Sequence, residues 1–233
     1  EKTDEKTIQP IIELGKKLGI DTPHTIELYD NSNIQGAYAV AGMVVYKDGV
    51  PSKKDYRKYK IKTVEGPDDY ASMKEVIYRR YYRLLMEQKE MADLIIVDGG
   101  LGQIKVAKEV IDSLNLSVHI CGLSKDDKHS TAMLLDENGN QVPIDTKSPL
   151  FFLLTRMQDE VHRYAISFHR QLRSKSLFSS ILDEVDGIGE ARKKKLLNHF
   201  KSVKKMKEAT LKELEEVIPK NTALKLYEVL HKD

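Results

Sequence analysis

The sequence predicts an α/β domain built on a mixed sheet, followed by a small all-helical domain. Two apolar, strand-like runs, at 26–30 and 94–98, each end on an aspartate. Around these runs, apolar residues recur at the spacing of amphipathic helices. Beyond about residue 178 the chain has short helical patterns, many lysines and no strand-like run. This change in composition marks the expected start of the second domain.

Composition limits the class of protein. The chain has 233 residues, of which 40% are hydrophobic and 32% charged, enough for one sizeable core and a small appendage. No apolar run approaches the roughly 20 residues of a membrane-spanning helix, and the first residues do not resemble a signal peptide. The single cysteine, Cys121, lies in an apolar run, which predicts a buried thiol and fits a reducing cytoplasm. We therefore expect no membrane partner and a cytoplasmic location.

The sequence is predicted to divide into three segments, with an antiparallel meander in the second. They are an N-terminal helix and linker over 1–22, an α/β domain over 23–175 and a helical domain over 178–233. An amphipathic helix is expected at 7–18. The strands that follow are expected at 24–30, 38–47 and 56–62, with a turn at 48–49.

The remainder of the α/β domain alternates helices and strands. Asp68 or Asp69 can cap the first of these helices. The later elements are expected at 93–98 (strand), 102–114 (helix), 117–123 (strand), 138–139 (hairpin tip) and 149–175 (helix). The order β-β-β-α-β-α-β-α, with an insertion before the last helix, is that of the RNase H-like nuclease and transposase architecture. In that architecture acids at the ends of the first and fourth strands bind metal, and the last helix supplies a third group.

Asp30, Asp98 and His162 occupy those three positions. A buried strand-ending aspartate is costly unless its charge is compensated, and Mg²⁺ or Mn²⁺ would suit two carboxylates that leave room for water and phosphate. Either aspartate could instead only cap a turn. His162 could accept a proton from the attacking water or bind the metal. Asp159 could orient His162 or act as a further acid, and His169 is a rival histidine.

Basic residues near these positions predict contacts to DNA phosphates. Arg156, Arg163 and Arg170 recur every seven residues and form one stripe on the last helix. Charged stripes are usually solvated faces, but one beside a metal site can follow a phosphate backbone. Lys125 begins a polar stretch that could be a loop over the site or a solvated turn. The strand at 56–60 also mixes tyrosine with basic residues.

The helical domain contains a glycine-rich hairpin between two helices. Its glycines permit a tight turn and leave N–H groups free for a phosphate at the start of the next helix. The candidate DNA contacts in this domain are Gly187, Ile188, Gly189, Arg192 and Lys193. A weaker copy at 217–223, about thirty residues later, predicts a tandem helix-hairpin-helix unit. Pro219 removes an N–H donor from that copy, so we expect the first hairpin to bind DNA more firmly.

Several ordered motifs resemble the C-terminal half of the UvrC family, the excinucleases of bacterial nucleotide excision repair. The resemblance extends from about residue 24 to the end. The matching stretches are 30–36 (DNSNIQG), 56–61 (YRKYKI), 68–73 (DDYASM), 98–103 (DGGLGQ), 122–125 (GLSK), 156–163 (RMQDEVHR) and 169–170 (HR). The glycine hairpin falls where the family has its first DNA-binding hairpin.

The resemblance implies an RNase H-like endonuclease with tandem helix-hairpin-helix motifs. It implies incision 5′ of a lesion in double-stranded DNA that the damage-verifying helicase UvrB hands over; bubbles and nicks are related substrates. It implies catalytic roles for Asp30, Asp98 and His162, and a functionally sensitive acid at Asp69. Asn33 departs from the family, since many members have histidine there. Nothing resembles the family's N-terminal nuclease domain or helicase-interaction segment, so we expect a fragment that does not perform dual incision.

Two other functions fit parts of the pattern. A non-catalytic DNA-binding scaffold with a degenerate RNase H-like domain would have its three site residues apart, or would lack the metal. A transposase-like enzyme would use a 3′-hydroxyl group as the nucleophile instead of water.

Overall fold

The computed structural model describes residues 2–33, 39–128 and 132–232. The chain forms two compact units, one over Glu1–His169 and one over Arg170–Asp233. The domain limits expected from the sequence, near residues 22 and 175–178, remain predictions.

The first unit contains one mixed sheet and four main helices, the last of which continues into the second unit. Its helices are α1 (Lys2–Leu18), α2 (Asp69–Met86), α3 (Leu101–Ser113) and α4 (Pro149–Asp183), with a short 3₁₀ helix at Lys53–Asp55. Its strands are β1 (Thr25–Ser32), β2 (Val40–Lys47), β3 (Val50–Pro51), β4 (Arg57–Lys60), β5 (Leu94–Asp98), β6 (His119–Lys125), β7 (Ala132–Leu135) and β8 (Gln141–Val142). Asp68 caps α2, as predicted, by accepting a hydrogen bond from the backbone N–H of Ala71.

The strands are ordered β3-β2-β1-β5-β6-β7-β8, and β4 also pairs with β2. The predicted meander is confirmed, because β2 pairs antiparallel with both β1 and β4. Strands β1, β5 and β6 are parallel to one another. The β4 strand is shorter than expected, because the N–H groups of Lys62 and Thr63 donate to the Glu75 carboxylate. The start of the predicted second strand, at residue 38, lies outside the described residues.

Each face of the sheet has its own apolar core. One core packs α1 and α4 against the sheet, and the other packs α2 and α3 against it. Along β1, Ile26 and Leu28 enter the first core, whereas Tyr29 enters the second. Because side chains alternate along a strand, Asp30 is on the same face as Leu28 and Ile26, toward α4. The predicted burial of Cys121 is confirmed, since its side chain is in the first core.

Helix α4 is longer than the predicted helix at 149–175. It continues to Asp183, because no proline or glycine interrupts the chain between Pro149 and that residue. Met157, Val161 and Ala165 are buried on its inner side, which fixes the rotation of the helix against the sheet.

The regular elements of the second unit are all helices among its described residues. After the end of α4 it contains α5 (Glu190–Phe200), α6 (Val203–Glu208), α7 (Leu211–Glu215) and α8 (Lys220–Leu230). These helices and the end of α4 share a core that contains Phe178, Leu196 and Leu226. The two predicted hairpins are the connections from α4 to α5 and from α7 to α8. Within the described chain, no helix has both the length and the apolar character needed to cross a membrane.

Candidate metal centre

Asp30 and Asp98 lie side by side at the carboxyl ends of two parallel strands. The register of β1 and β5 pairs Tyr29 with Val97, so that Asp30 and Asp98 are the next residue on each strand. Apolar runs make both strands buried, and the acids follow where those runs end. The fold therefore brings together two carboxylates that are 68 residues apart in the sequence.

His162 joins the two carboxylates from α4. Its Nδ1 atom lies 3.0 Å from Oδ2 of Asp30, which is hydrogen-bonding distance. One ligand atom from each of Asp30, Asp98 and His162 lies within 4.8 Å of the others. The three residues predicted to meet at a metal site are thus close enough to share one ion.

Gly42 explains how α4 comes so near the sheet. This glycine pairs with Asp30 across the β1–β2 ladder. A Cβ atom at Gly42 would lie 3.0 Å from the backbone nitrogen of Ala165. The missing side chain therefore lets the α4 backbone approach β2 at the level of Asp30, and His162 is less than one turn before Ala165 on that helix.

The charge of Asp30 is poorly compensated by the described residues. The residue is only 6% exposed. Burial, together with the charge of Asp98, raises the pKa of Asp30 to about 7, although the hydrogen bond from His162 lowers it. A cation between the two carboxylates would offset both causes of the rise. Two carboxylates and an imidazole are a suitable ligand set for a divalent ion, so the residues present fit a metal.

A cavity of about 280 Å³ opens beside these ligands. Its lining residues are Asp98, Lys125, Gln158, Asp159 and His162. Lys125, the last residue of β6, therefore lies at the cavity, and its contact with a DNA phosphate remains a prediction. The sequence alone did not single out Gln158, although its position one helical turn before His162 was a usable signal.

Three other sequence candidates lie outside the three-residue cluster. The Asp69 carboxylate accepts a hydrogen bond from Asn33 at 2.7 Å, and its carbonyl accepts one from Asn31 at 3.0 Å. These bonds anchor the end of β1 to the start of α2, and a catalytic role for Asp69 remains a prediction. His169 is 1% exposed, and its ring nitrogens have no hydrogen-bond partner among the described residues. Asp159 lines the cavity, but Nδ1 of His162 contacts Asp30 instead.

Two basic residues of α4 that are predicted to contact DNA are accessible to solvent. Arg163 makes two hydrogen bonds to Glu160, at 2.6 and 3.0 Å, on the exposed side of the helix. Arg170 is exposed at the start of the second unit. A phosphate could therefore reach either guanidinium, but at Arg163 it would compete with a carboxylate of the same helix.

In the first hairpin, Gly187 has a φ of +94°, a left-handed conformation that favours glycine. The next helix, α5, has Gly189 as its N-cap. Arg192 donates to the Gly187 carbonyl and lies 3.4 Å from the Thr222 hydroxyl at the start of α8. Lys193 forms an ion pair with Asp183. These two cations hold the hairpin together in the structure, and their DNA contacts remain predictions.

Comparison with protein families gives two matches in chain order. The model of the UvrC RNase H endonuclease domain matches residues 15–166. The model of a SAM-like helix-hairpin-helix tandem matches residues 179–232.

Three solved structures are similar to parts of this chain, at low sequence identity. Endonuclease V from Ciona intestinalis, in complex with inosine-containing DNA, is 15% identical, with a TM-score of 0.35 over 54% of this chain and 59% of that one. The catalytic domain of human Endonuclease V is 14% identical, with a TM-score of 0.38 over 74% and 88% of the two chains. An Argonaute from Kluyveromyces polysporus is 14% identical, with a TM-score of 0.29 over 57% and 19%. The chain thus spans less than two thirds of the Ciona protein.

The predicted fold class is confirmed: a mixed α/β sheet flanked by helices in the RNase H-like class is followed by a helical helix-hairpin-helix domain. The first family match covers more than half of the 233 residues, and the second covers most of the remainder. The chain therefore belongs to the UvrC family, with an RNase H endonuclease domain and a tandem helix-hairpin-helix domain.

Proposed function

We propose that the protein is a divalent-metal-dependent DNA endonuclease that hydrolyses a phosphodiester bond. The observation that carries the proposal is the grouping of Asp30, Asp98 and His162, whose ligand atoms lie within 4.8 Å of one another. Membership of a nuclease-domain family supports the reaction class. A non-catalytic scaffold would have these residues apart or would lack the metal, and their proximity supports the enzyme.

Asp30 and Asp98 would hold the ion, which we propose to be Mg²⁺ or Mn²⁺. When bound, it would neutralise phosphate charge and lower the pKa of an attacking water. His162 has two roles open to it. Its Nδ1 atom contacts Asp30, and its side chain is 61% exposed. The other ring nitrogen, Nε2, could therefore accept a proton from water, or the imidazole could turn to complete the ligand set.

The second unit would hold the DNA by its backbone. The N–H groups at the start of α5 follow the turn at Gly187, in a motif whose family model is a helix-hairpin-helix tandem. Lys125 at the cavity and the exposed Arg163 and Arg170 would add contacts to phosphates. Such contacts carry no base information, which suits a nuclease that cuts beside damage in any sequence.

Family membership supports a more specific proposal. We propose incision on the 5′ side of a lesion during bacterial nucleotide excision repair, with UvrB as the partner that delivers double-stranded DNA. Family membership and the helix-hairpin-helix unit support this role. Transposase-like strand transfer is the alternative chemistry, and it is distinguished by a 3′-hydroxyl nucleophile.

The test is cleavage of a nicked or bubble-containing duplex in Mn²⁺. The parent should cut and leave hydrolysis products. Asp30→Asn should cut more than about 10²-fold more slowly, a loss typical of removing one group that stabilises the transition state. Asp112→Asn is a matched control, because Asp112 is exposed on α3 and should cut normally. Equal cutting by parent and Asp30→Asn would refute the assignment, and joined strands in place of hydrolysis products would indicate strand transfer.

A further inference from the structure

Gln158 is a buried amide beside the candidate metal ligands. Its side chain belongs to the inner side of α4 and the residue is 5% exposed. The Nε2 atom donates a hydrogen bond to Oδ1 of Asp98 at 3.1 Å. A buried amide is costly unless it is hydrogen-bonded, so this contact accounts for one of its polar groups. The bond joins α4 directly to one of the two strand-end carboxylates.

The contact has a counterpart one helical turn later. Gln158 and His162 are four residues apart on α4 and therefore lie on the same face of the helix. Gln158 contacts Asp98 on β5, and His162 contacts Asp30 on β1. Because β1 and β5 are neighbouring parallel strands, one face of α4 supplies each carboxylate with one partner.

The two partners differ in chemistry. An imidazole can take up a proton or bind a metal, whereas a carboxamide stays neutral and only donates from its nitrogen. A neutral donor restrains the rotation of the Asp98 carboxylate without cancelling the negative charge that attracts a cation. A carboxylate has about four lone-pair positions, so one hydrogen bond at Oδ1 leaves the others available.

We propose that Gln158 is a positioning residue, which holds the Asp98 carboxylate in the orientation that binds the divalent cation. The proposal rests on the metal site of the proposed function. It predicts that Gln158 affects metal affinity through Asp98, without itself contacting the ion or the DNA.

The test measures the affinity of the full chain for Mn²⁺ in the absence of DNA. The electron paramagnetic resonance signal of the free ion reports how much Mn²⁺ is unbound. Gln158→Met keeps the length and apolar stem of the side chain but removes the donor. We expect Mn²⁺ affinity to fall about 10- to 100-fold, as for the loss of other groups that orient metal ligands. Gln141→Met is the matched control, because Gln141 is exposed on β8 and should leave the affinity unchanged.

A second variant tests whether the amide must reach Asp98. Gln158→Asn keeps the amide but shortens the side chain by one methylene, so that it cannot reach Asp98 within hydrogen-bonding distance. It should weaken Mn²⁺ binding as much as Gln158→Met does. Both variants are measured at temperatures well below their unfolding transitions. Unchanged affinity in either variant would overturn the proposal. If the parent itself binds no Mn²⁺, the proposed function fails first, and this inference fails with it.

Discussion

Two buried carboxylates on β1 have opposite surroundings. Glu27 and Asp30 are only three residues apart and are 2% and 6% exposed. Glu27 is on the face toward α2, where Oε1 accepts hydrogen bonds from the hydroxyls of Tyr29 and Tyr81 at 2.8 and 2.7 Å. Its Oε2 accepts two more from Arg80, at 3.1 and 3.0 Å. The Glu27 carboxylate therefore accepts hydrogen bonds at both oxygens, and Arg80 compensates its charge.

Asp30, on the face toward α4, has fewer partners. His162 contacts it, but Asp98 adds a second carboxylate nearby, and burial raises the pKa of Asp30 to about 7. Burial alone therefore does not mark a functional acid, because Glu27 is buried more deeply. The distinguishing feature is whether the chain itself supplies the compensating charge. At Glu27 it does, which indicates a structural role, whereas at Asp30 an added cation would be needed.

The largest loss of stability is expected when Glu27 loses its positive partner, Arg80. Arg80→Met leaves the Glu27 charge buried with only the two tyrosine donors, whose pKa values burial holds well above the ordinary range. We expect the free energy of unfolding to fall by about 3–5 kcal/mol, measured by urea denaturation. The control is Arg79→Met, whose partner Glu75 also accepts hydrogen bonds from Lys62 and Thr63; it should cost at most about 1 kcal/mol. Equal losses of unfolding free energy in the two variants would show that Glu27 does not depend on Arg80 for charge compensation.

A second effect concerns the proton that Asp30 takes up in the metal-free protein. Its pKa rises from the ordinary 3.8 to about 7 on folding, so the folded state binds this proton more tightly than the unfolded state. The stabilisation is present at low pH and is lost as the pH rises through about 7. Between pH 5 and 8, the metal-free parent should lose roughly 2–3 kcal/mol relative to Asp30→Asn.

Urea denaturation in a metal chelator, at pH 5 and pH 8, measures this difference. Mn²⁺ should restore the stability of the parent at pH 8, because it takes the place of the proton between the carboxylates. Parallel pH profiles for the parent and Asp30→Asn would show that Asp30 is already compensated, as Glu27 is.

The smallest effect tests how α4 reaches Asp30. Gly42→Ala places a Cβ atom 3.0 Å from the Ala165 backbone, so α4 must shift outward. We expect a loss of about 1–3 kcal/mol in unfolding free energy, and slower cleavage because His162 moves away from Asp30. Val44→Ala, in the same strand and core, should lower stability through a cavity without displacing His162. Full cleavage activity in Gly42→Ala would show that the site does not require the close approach of α4 to β2 at Gly42.

Much of the site could be predicted because its signals are local in sequence. The apolar runs that end on Asp30 and Asp98 predict strands, and the position of His162 in the last helix is typical of the architecture. The network around Glu27 could not be predicted, because it depends on which residues of α2 face the sheet. The same holds for Gln158, whose role becomes visible only when α4 is placed over Asp98.

The contacts of Arg192 and Lys193 at the first hairpin also could not be predicted from the sequence. Their sequence context predicted phosphate contacts for Arg192 and Lys193, but charge patterns do not identify partners within the protein. In the structure Arg192 donates to Gly187 and Lys193 pairs with Asp183. Both partners lie at the same hairpin, at its glycine turn and at the end of α4.

Crystals soaked in Mn²⁺ would show whether Asp30 and Asp98 bind a metal, with anomalous difference maps recorded for the parent and for Asp30→Asn. We expect a peak in the parent within metal-ligand distance of the Asp30 and Asp98 carboxylates, and a weakened or absent peak in the variant. A parent map with no peak between these carboxylates would contradict the assignment of a metal centre to this site.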